Sequence, residues 1–282
     1  LAVKALRELN IPPLHDVGLV IVSDEETGSE YGLGYLLKNH QDIFRPGDWF
    51  IVPDAGDPQG ITIEVAEKSV YWLKFQVKGK QCHASMPEQG VNAMRAGAHL
   101  IVELERLAER FAVRNPLYEP PQSTFEPTKK EANIPNINTI PGEDVFYLDC
   151  RVLPEYPLAQ VDELVAEIAR GVEQRFGVEI HVSTVQKEEA APPTPAEAPA
   201  VRALASALQT MGKEVKIIGI GGGTVAALLR RAGHQAVVWS QIDDVCHQPN
   251  EYSRISGTLA DATALAVLFA GAYHENITSS QR

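Results

Sequence analysis

Cysteine is scarce. Cys82, Cys150 and Cys246 are the three in 282 residues, and they stand at long, irregular spacings. That excludes a disulfide framework and any Cys-x-x-Cys metal or redox motif. There is no dense block of lysine or arginine, and the formal net charge is −12. This argues against nucleic acid or an anionic membrane surface as the partner and leaves one that is small or cationic. No apolar run approaches the length of a membrane span. The chain therefore reads as a soluble protein of the cytoplasm. A starting methionine is also missing. Leu1 already sits in a helical pattern with Ala5, Leu6 and Leu9. We therefore expect a segment before Leu1, which leaves a signal peptide open.

What is present is ample apolar material, 44% of the residues, enough for two folding units at this length. The first stretch alternates helix and strand signals: a helix to Leu9, a strand "GLVIVS", a helix from about Glu30 to Asn39, and a strand "WFIVP" ending at Asp54. That rhythm predicts an α/β layer with a largely parallel sheet. From Val70 the pattern changes, because Tyr71, Leu73, Phe75 and Val77 alternate with Trp72, Lys74, Gln76 and Lys78 as on a half-buried strand. A helix with the stripe Leu100, Leu104, Leu107 and Phe111 follows. Next come "PQSTFEPTKKEAN", the strand "VFYLDCRV", a helix through Val161, Leu164, Ile168 and Val172, and the strand "VEIHVSTV". The order β-α-β-β-α-β is a ferredoxin-like split unit. After a Pro/Ala-rich connector the α/β rhythm returns: a helix from Val201 to Met211, "VKIIGI", a glycine cluster, "TVAALLRRAG", "AVVWS" and a last helix from about Gly257 to Tyr273. The expected division is 1–68 and 188–282 for the α/β unit, with 69–187 inserted.

Ligands of parallel sheets bind beyond the carboxyl ends of the strands, and three loops there carry polar clusters. They hold Asp24, Glu25 and Glu26; Asp54; and "QIDDVCHQPNE" with His247. Three adjacent carboxylates repel one another unless they are solvated or something positive compensates them. Carboxylate oxygens with an imidazole nitrogen suit zinc or a similar divalent ion, and a catalytic site also wants a carboxylate base that does not bind the metal. Singly, each feature has an ordinary explanation: a solvated loop that caps the next helix, or a satisfied polar histidine.

Together, "SDEETGS", "PDAG", "GKQCHASMPEQGVNA", "NTIPGEDVFYLDCR", "GIGGGT" and "HQPNE" resemble, in order and character, the motifs of the M20 metallopeptidases. The group includes acetylornithine deacetylase, succinyl-diaminopimelate desuccinylase, carboxypeptidase G2 and aminoacylase-1. The resemblance implies a zinc-peptidase-like α/β catalytic domain with an inserted lid that dimerises. It further implies two zinc ions per active site, with cobalt or manganese as alternatives. By the same resemblance Glu25 is the general base, Glu26 and His247 are ligands of one metal, and Asp54 is a ligand of the other. His83 is then a lid histidine that acts on the partner subunit's oxyanion. Asn138, Arg151, Gly222, Gly223 and Thr224 are substrate-binding residues. Asp24 is left a supporting role.

The strand pattern agrees with one of these roles. It puts Tyr147, Asp149 and Arg151 on the polar side of "VFYLDCRV", although an ordinary ion pair with Asp149 would explain Arg151 equally well. The resemblance has gaps. The family's HxD and GxxDxK motifs, which carry a zinc histidine and the bridging aspartate, are absent, and His15 does not fit. Val225, Ala226 and Ala227 stand where many relatives have Asp-Ala-Arg. The implied activity is hydrolysis of amide bonds in N-acyl amino acids or small peptides by a homodimer. A non-catalytic binding or regulatory module that retains the fold is the alternative, as is an inactive fragment.

Overall fold

The computed structural model describes residues 1–246 and 248–272, so His247 and the segment 273–282 lie outside the described residues. The chain divides into two compact units, Leu1–Glu67 with the chain from Ala191 onward, and Lys68–Ala190 between them. In chain order the first unit supplies α1 (Ala2–Glu8), α2 (Leu33–Asn39), β1 (Trp49–Val52) and β2 (Thr62–Glu67). The inserted unit supplies β3 (Ser69–Lys78), β4 (Cys82–His83), α3 (Ala93–Glu103), α4 (Arg106–Arg110), β5 (Thr124–Lys130), β6 (Thr139–Ile140), β7 (Glu143–Val152), α5 (Leu158–Phe176) and β8 (Glu179–Glu188). The first unit resumes with α6 (Pro199–Thr210), β9 (Lys216–Ile220), α7 (Ala226–Arg231), β10 (Gln235–Val238) and α8 (Ile255–Phe269).

The inserted unit is an antiparallel sheet in the order β5-β7-β3-β8. With α3 and α5 it makes the expected βαββαβ arrangement. Alternation decides which face is covered. Tyr71, Leu73, Phe75 and Val77 are buried beside Phe146, Leu148, Cys150 and Val152, while Trp72, Lys74, Tyr147, Asp149 and Arg151 occupy the other face. Helices α3 and α5 lay Ala93, Ala96, Leu100, Val161, Val165, Ile168 and Val172 on the apolar side. The side chain of Asn92 caps α3 by accepting the Arg95 N–H, and Gly177 ends α5 in the left-handed conformation at φ +67. The stripe from Leu100 to Phe111, expected on one helix, is shared by α3 and α4. A two-residue turn separates them, yet Leu104, Leu107 and Phe111 all stay buried.

One residue breaks the inward apolar pattern of β7. Asp144 is fully buried; Lys130 Nζ reaches its Oδ2 at 2.5 Å, and a Cβ on Gly97 would collide with that same oxygen. Gly97 is thus required where α3 crosses a buried carboxylate. Gly97→Ala is expected to destabilise the chain by about 1–3 kcal/mol through overpacking. Gly171→Ala on α5, where a Cβ meets nothing within 4 Å, should instead stabilise it by about 1 kcal/mol through helix propensity. Urea unfolding of the two variants checks both signs.

The first unit carries a sheet in the order β1-β10-β2-β9. Strands β1 and β10 are parallel, β2 and β9 are parallel, and β10 meets β2 antiparallel. The sheet is therefore mixed, which corrects the expectation of a largely parallel one. The apolar run at 18–23 forms no strand. Leu19 and Ile21 are each 84% exposed, and no described strand pairs with them. An apolar run becomes a strand only when a neighbour satisfies its backbone groups. Helix α2 starts at Leu33, later than expected, because the residues before it are used in a turn.

Candidate active site

That turn is built around Asp24. Its backbone is left-handed, at φ +56, and the chain then makes a single 3-10 turn over Glu25–Thr27 and leaves through Gly28 at φ +102. The Asp24 carboxylate accepts the N–H of Tyr31 at 2.7 Å, and its carbonyl accepts the N–H of Thr27 and of Ser29. A Cβ on Gly32 would collide with the Ser23 carbonyl and lie 2.5 Å from Asp24 Oδ1. Asp24 is therefore occupied in shaping the loop, while the side chains of half-buried Glu25 and exposed Glu26 are what it presents.

Asp54 stands just past β1, exposed, in a segment pinned on both sides to the exit of β10. The Val52 carbonyl accepts the Trp239 N–H at 3.0 Å, and the Asp57 carbonyl accepts the Ile242 N–H at 3.2 Å. Gly56 passes so close to the Ser240 carbonyl that a side chain there would overlap it. Asp57 shapes the turn that follows: its carboxylate accepts the N–H groups of Gln59, Ile61 and Thr62. Burial alone would raise the pKa of Asp57, but these bonds outweigh it and the net shift is downward. The two acidic loops share an anchor. Val22, just before the Asp24 turn, and Ala55, just after Asp54, pack on the apolar cluster of Leu33, Phe44, Ala226, Leu229, Ala236 and Val238.

Glu64 is the carboxylate that pattern reading missed. It lies on β2, 6% exposed, and its pKa is pushed up to about 7 by burial, with the Asp54 carboxylate adding to the effect. An acid inside the apolar run "ITIEVAE" was the available signal.

The described residues offer carboxylates of the right donor chemistry for a divalent ion, but no group of three or more His, Cys, Asp or Glu among them could hold a metal. His247, expected as a ligand, lies outside the described residues. The described part of the chain does not by itself make a complete metal centre.

The glycine loop leaves from the other end of the strands, because β9 runs antiparallel to β1 and β10. Thr224 Oγ1 donates to Glu67 Oε1 at 3.0 Å, and the same oxygen of Thr224 accepts the Ala226 N–H. Glu67 also forms a buried ion pair with Arg230. A Cβ on Gly221 or Gly223 would meet nothing within 4 Å, and Gly222 would touch only Ile220, at 3.4 Å. None of the three has positive φ. Neither packing nor backbone conformation accounts for glycine at these positions.

In the inserted unit, the short ribbon of β4 and β6 brings His83 opposite Thr139, and Ala84 N–H donates to the Asn138 carbonyl at 2.8 Å. His83 and Asn138 are thus neighbours. The Ser85 N–H donates to His83 Nδ1 at 3.2 Å, and Ser85 Oγ lies 2.8 Å from the same nitrogen. Nδ1 is therefore the acceptor, which puts the proton of the neutral ring on Nε2. Arg151 forms a two-pronged pair with Asp149 at 2.7 and 2.9 Å, with its guanidinium 6.0 Å from the Trp72 ring. Nearby Lys68 is buried, donates to the carbonyls of Pro120 and Gln122, and has its pKa lowered to about 8 by burial and by the charge of Arg151.

With these positions set out, comparison with known proteins is informative. Residues 65–175 match the model of the M20 peptidase dimerisation domain. An uncharacterised metallohydrolase of Methanocaldococcus jannaschii is 40% identical over 266 residues, 90% of this chain and 65% of that protein. The inserted unit therefore carries the M20 peptidase dimerisation domain, and the chain as a whole is similar to metallohydrolases. An acetylornithine deacetylase of Pectobacterium carotovorum is 28% identical over 260 residues, 88% of this chain and 62% of that protein. The aminopeptidase PepT of Bacillus cereus shares the fold with a TM-score of 0.72, 20% identity, and coverage of 95% of this chain and 67% of its own. The chain spans just under two thirds of the length of the curated relatives it matches. None of its described helices is long and apolar enough to cross a membrane.

Proposed function

We propose that the chain forms the larger part of a metal-dependent amide hydrolase that cleaves N-acyl amino acids or small peptides and works as a homodimer through the inserted unit. The reading rests above all on the acidic turn: Asp24 is consumed in building it, so Glu25 and Glu26 are presented together, on the same apolar anchor as the Asp54 loop. Glu26 and Asp54 contribute carboxylates toward two metal ions, zinc or its substitutes cobalt and manganese, with His247 as a further ligand. When bound, such ions polarise a carbonyl and acidify water.

Glu25 takes a proton from the attacking water as the new C–O bond forms, and delivers it to the amine nitrogen as the C–N bond breaks. His83, with its proton on Nε2, donates to the developing oxyanion in the partner's site. Asn138 and Arg151 hold the substrate, the guanidinium pairing with a free carboxylate, while Gly222, Gly223 and Thr224, implied as substrate contacts by the family resemblance, lie at the far end of the sheet from the acidic loops. The deacetylase relative favours acyl amino acids.

In a polypeptide completed to the length of its relatives, N-acetyl and N-succinyl amino acids should be hydrolysed in the presence of zinc, and the rate should fall to background after chelation. Measuring amine release with and without chelator decides it. A metal-loaded protein that binds acyl amino acids without turnover would show a binding module instead.

A further inference from the structure

The exit of β10 is gripped from its far side by α8, a contact used by none of the roles proposed above. Ser240 Oγ donates to Asp261 Oδ2 at 2.6 Å, and the Gln241 N–H donates to Asp261 Oδ1 at 2.7 Å. One turn earlier on α8, Gly257 lies so close to the same segment that a Cβ would sit 2.6 Å from the Gln241 carbonyl. Residues four apart share a helix face, so Gly257 and Asp261 act together: one admits the backbone and the other binds it. The Gln241 side chain is held as well, donating to the Pro58 carbonyl at 3.0 Å and accepting from Lys213 Nζ at 2.9 Å. The opposite side of Ser240–Ile242 is the Asp54 loop, pinned at Val52, Gly56 and Asp57. Residues 240–242 are thus the middle layer between α8 and the loop that carries Asp54. Ser240 is itself buried, and α8 is anchored in the core by Ala264 and Leu268.

From this layering we infer that Asp261, assisted by Gly257, is a positioning residue: it fixes where Asp54 stands by clamping the strand exit against which the Asp54 loop is pinned. This rests on the proposed site at Asp54. Asp261 does not touch substrate. Its two bonds are acceptor bonds, one from a hydroxyl that can reverse its role, so asparagine can keep the clamp and alanine cannot.

Two measurements test it. In the chain of residues 1–282, with no metal or substrate, the amide hydrogen of Gln241 should exchange slowly, and Asp261→Ala should speed exchange at Gln241 and at Ile242 by at least tenfold, while Asp261→Asn leaves both within about threefold. In the completed polypeptide, Asp261→Ala should lower kcat about 10–100-fold with KM within a factor of two, and Asp261→Asn should restore most of it. Gly257→Ala leaves every hydrogen-bonding group in place but pushes the helix away, so it should reproduce the alanine phenotype if Asp261→Ala fails to fold. Slow exchange at Gln241 that Asp261→Ala leaves unchanged overturns the clamp. Wild-type kcat in Asp261→Ala, or equal losses in the asparagine and alanine variants, overturns positioning. Altered exchange in a polypeptide with no hydrolase activity would sustain the clamp and defeat the proposed reaction instead.

Discussion

Glu25→Gln, made in the polypeptide completed to its relatives' length, is expected to lower kcat for deacylation by about 10³, within the range that a positioned general base contributes, while metal content stays that of the wild type. Glu26→Gln is expected to lose metal. The contrast arises because two adjacent carboxylates on one 3-10 turn cannot point the same way: if one is held by a cation, its neighbour is left to handle a proton. Asp24 is poorly placed for either task, since its Oδ2 accepts the Tyr31 N–H and its Oδ1, without a hydrogen-bond partner among the described residues, is buried against Gly32. Metal analysis beside steady-state kinetics on the two variants settles the division of labour. Equal metal loss in both would show that the two acids share one role, and unchanged kcat in Glu25→Gln would remove it from the chemistry.

A large effect on stability is expected at Glu64, and it carries a definite sign. The carboxyl titrates near 4.5 when unperturbed and at about 7 in the folded chain, raised by burial and by the Asp54 charge. Its Oε2 has no hydrogen-bond partner among the described residues, and the Arg230 charge, which favours the anion, is outweighed by burial and by Asp54. The folded state therefore holds this proton more tightly than the unfolded state. The associated stability is fully present below pH 4.5 and is lost as pH rises through 7. The difference is about 3 kcal/mol across that window. In chain 1–282 kept metal-free by chelator, Glu64→Gln should match the wild type near pH 4.5 and exceed its unfolding free energy by about that amount at pH 8. Asp57 cannot mimic this, because its pKa is lowered from 3.8 and its contribution disappears only in more acidic solution. Parallel stability curves for the two proteins from pH 4.5 to 8 would refute the assignment.

Much of the architecture was legible in particular residues. The alternation from Tyr71 to Lys78 and from Phe146 to Val152 set which face of the inserted sheet is covered, because a period of two leaves no choice once one face is apolar. The stripe through Val161, Ile168 and Val172 did the same for α5. The run at 18–23 misled for a physical reason. Its composition is that of a strand, but a strand also needs a neighbour, and composition says nothing about whether one is there. Sheet direction was hidden likewise: no local pattern distinguishes β2 entering antiparallel to β10 from a parallel crossover.

In the candidate site, the acidic turn and the loop after "WFIVP" were visible because charge clusters at strand ends stand out locally. Asp57, Glu64, Asp261 and the Glu67–Arg230 pair were not, since each acquires its role from a partner distant in the chain: Glu64 from Asp54 and burial, Asp261 from Ser240 and Gln241, Glu67 from Thr224 and Arg230. The sequence by itself determined the α/β framework, the inserted βαββαβ unit and the family resemblance, because periodicity and short motifs are properties of neighbouring residues. Only the tertiary structure decided that the sheet is mixed, that Asp24 is consumed in holding its turn, and that the Asp54 loop is fixed through residues 240–242 to α8. Those outcomes depend on which backbone groups find partners and which carboxylates are removed from water, and both are settled when distant segments pack.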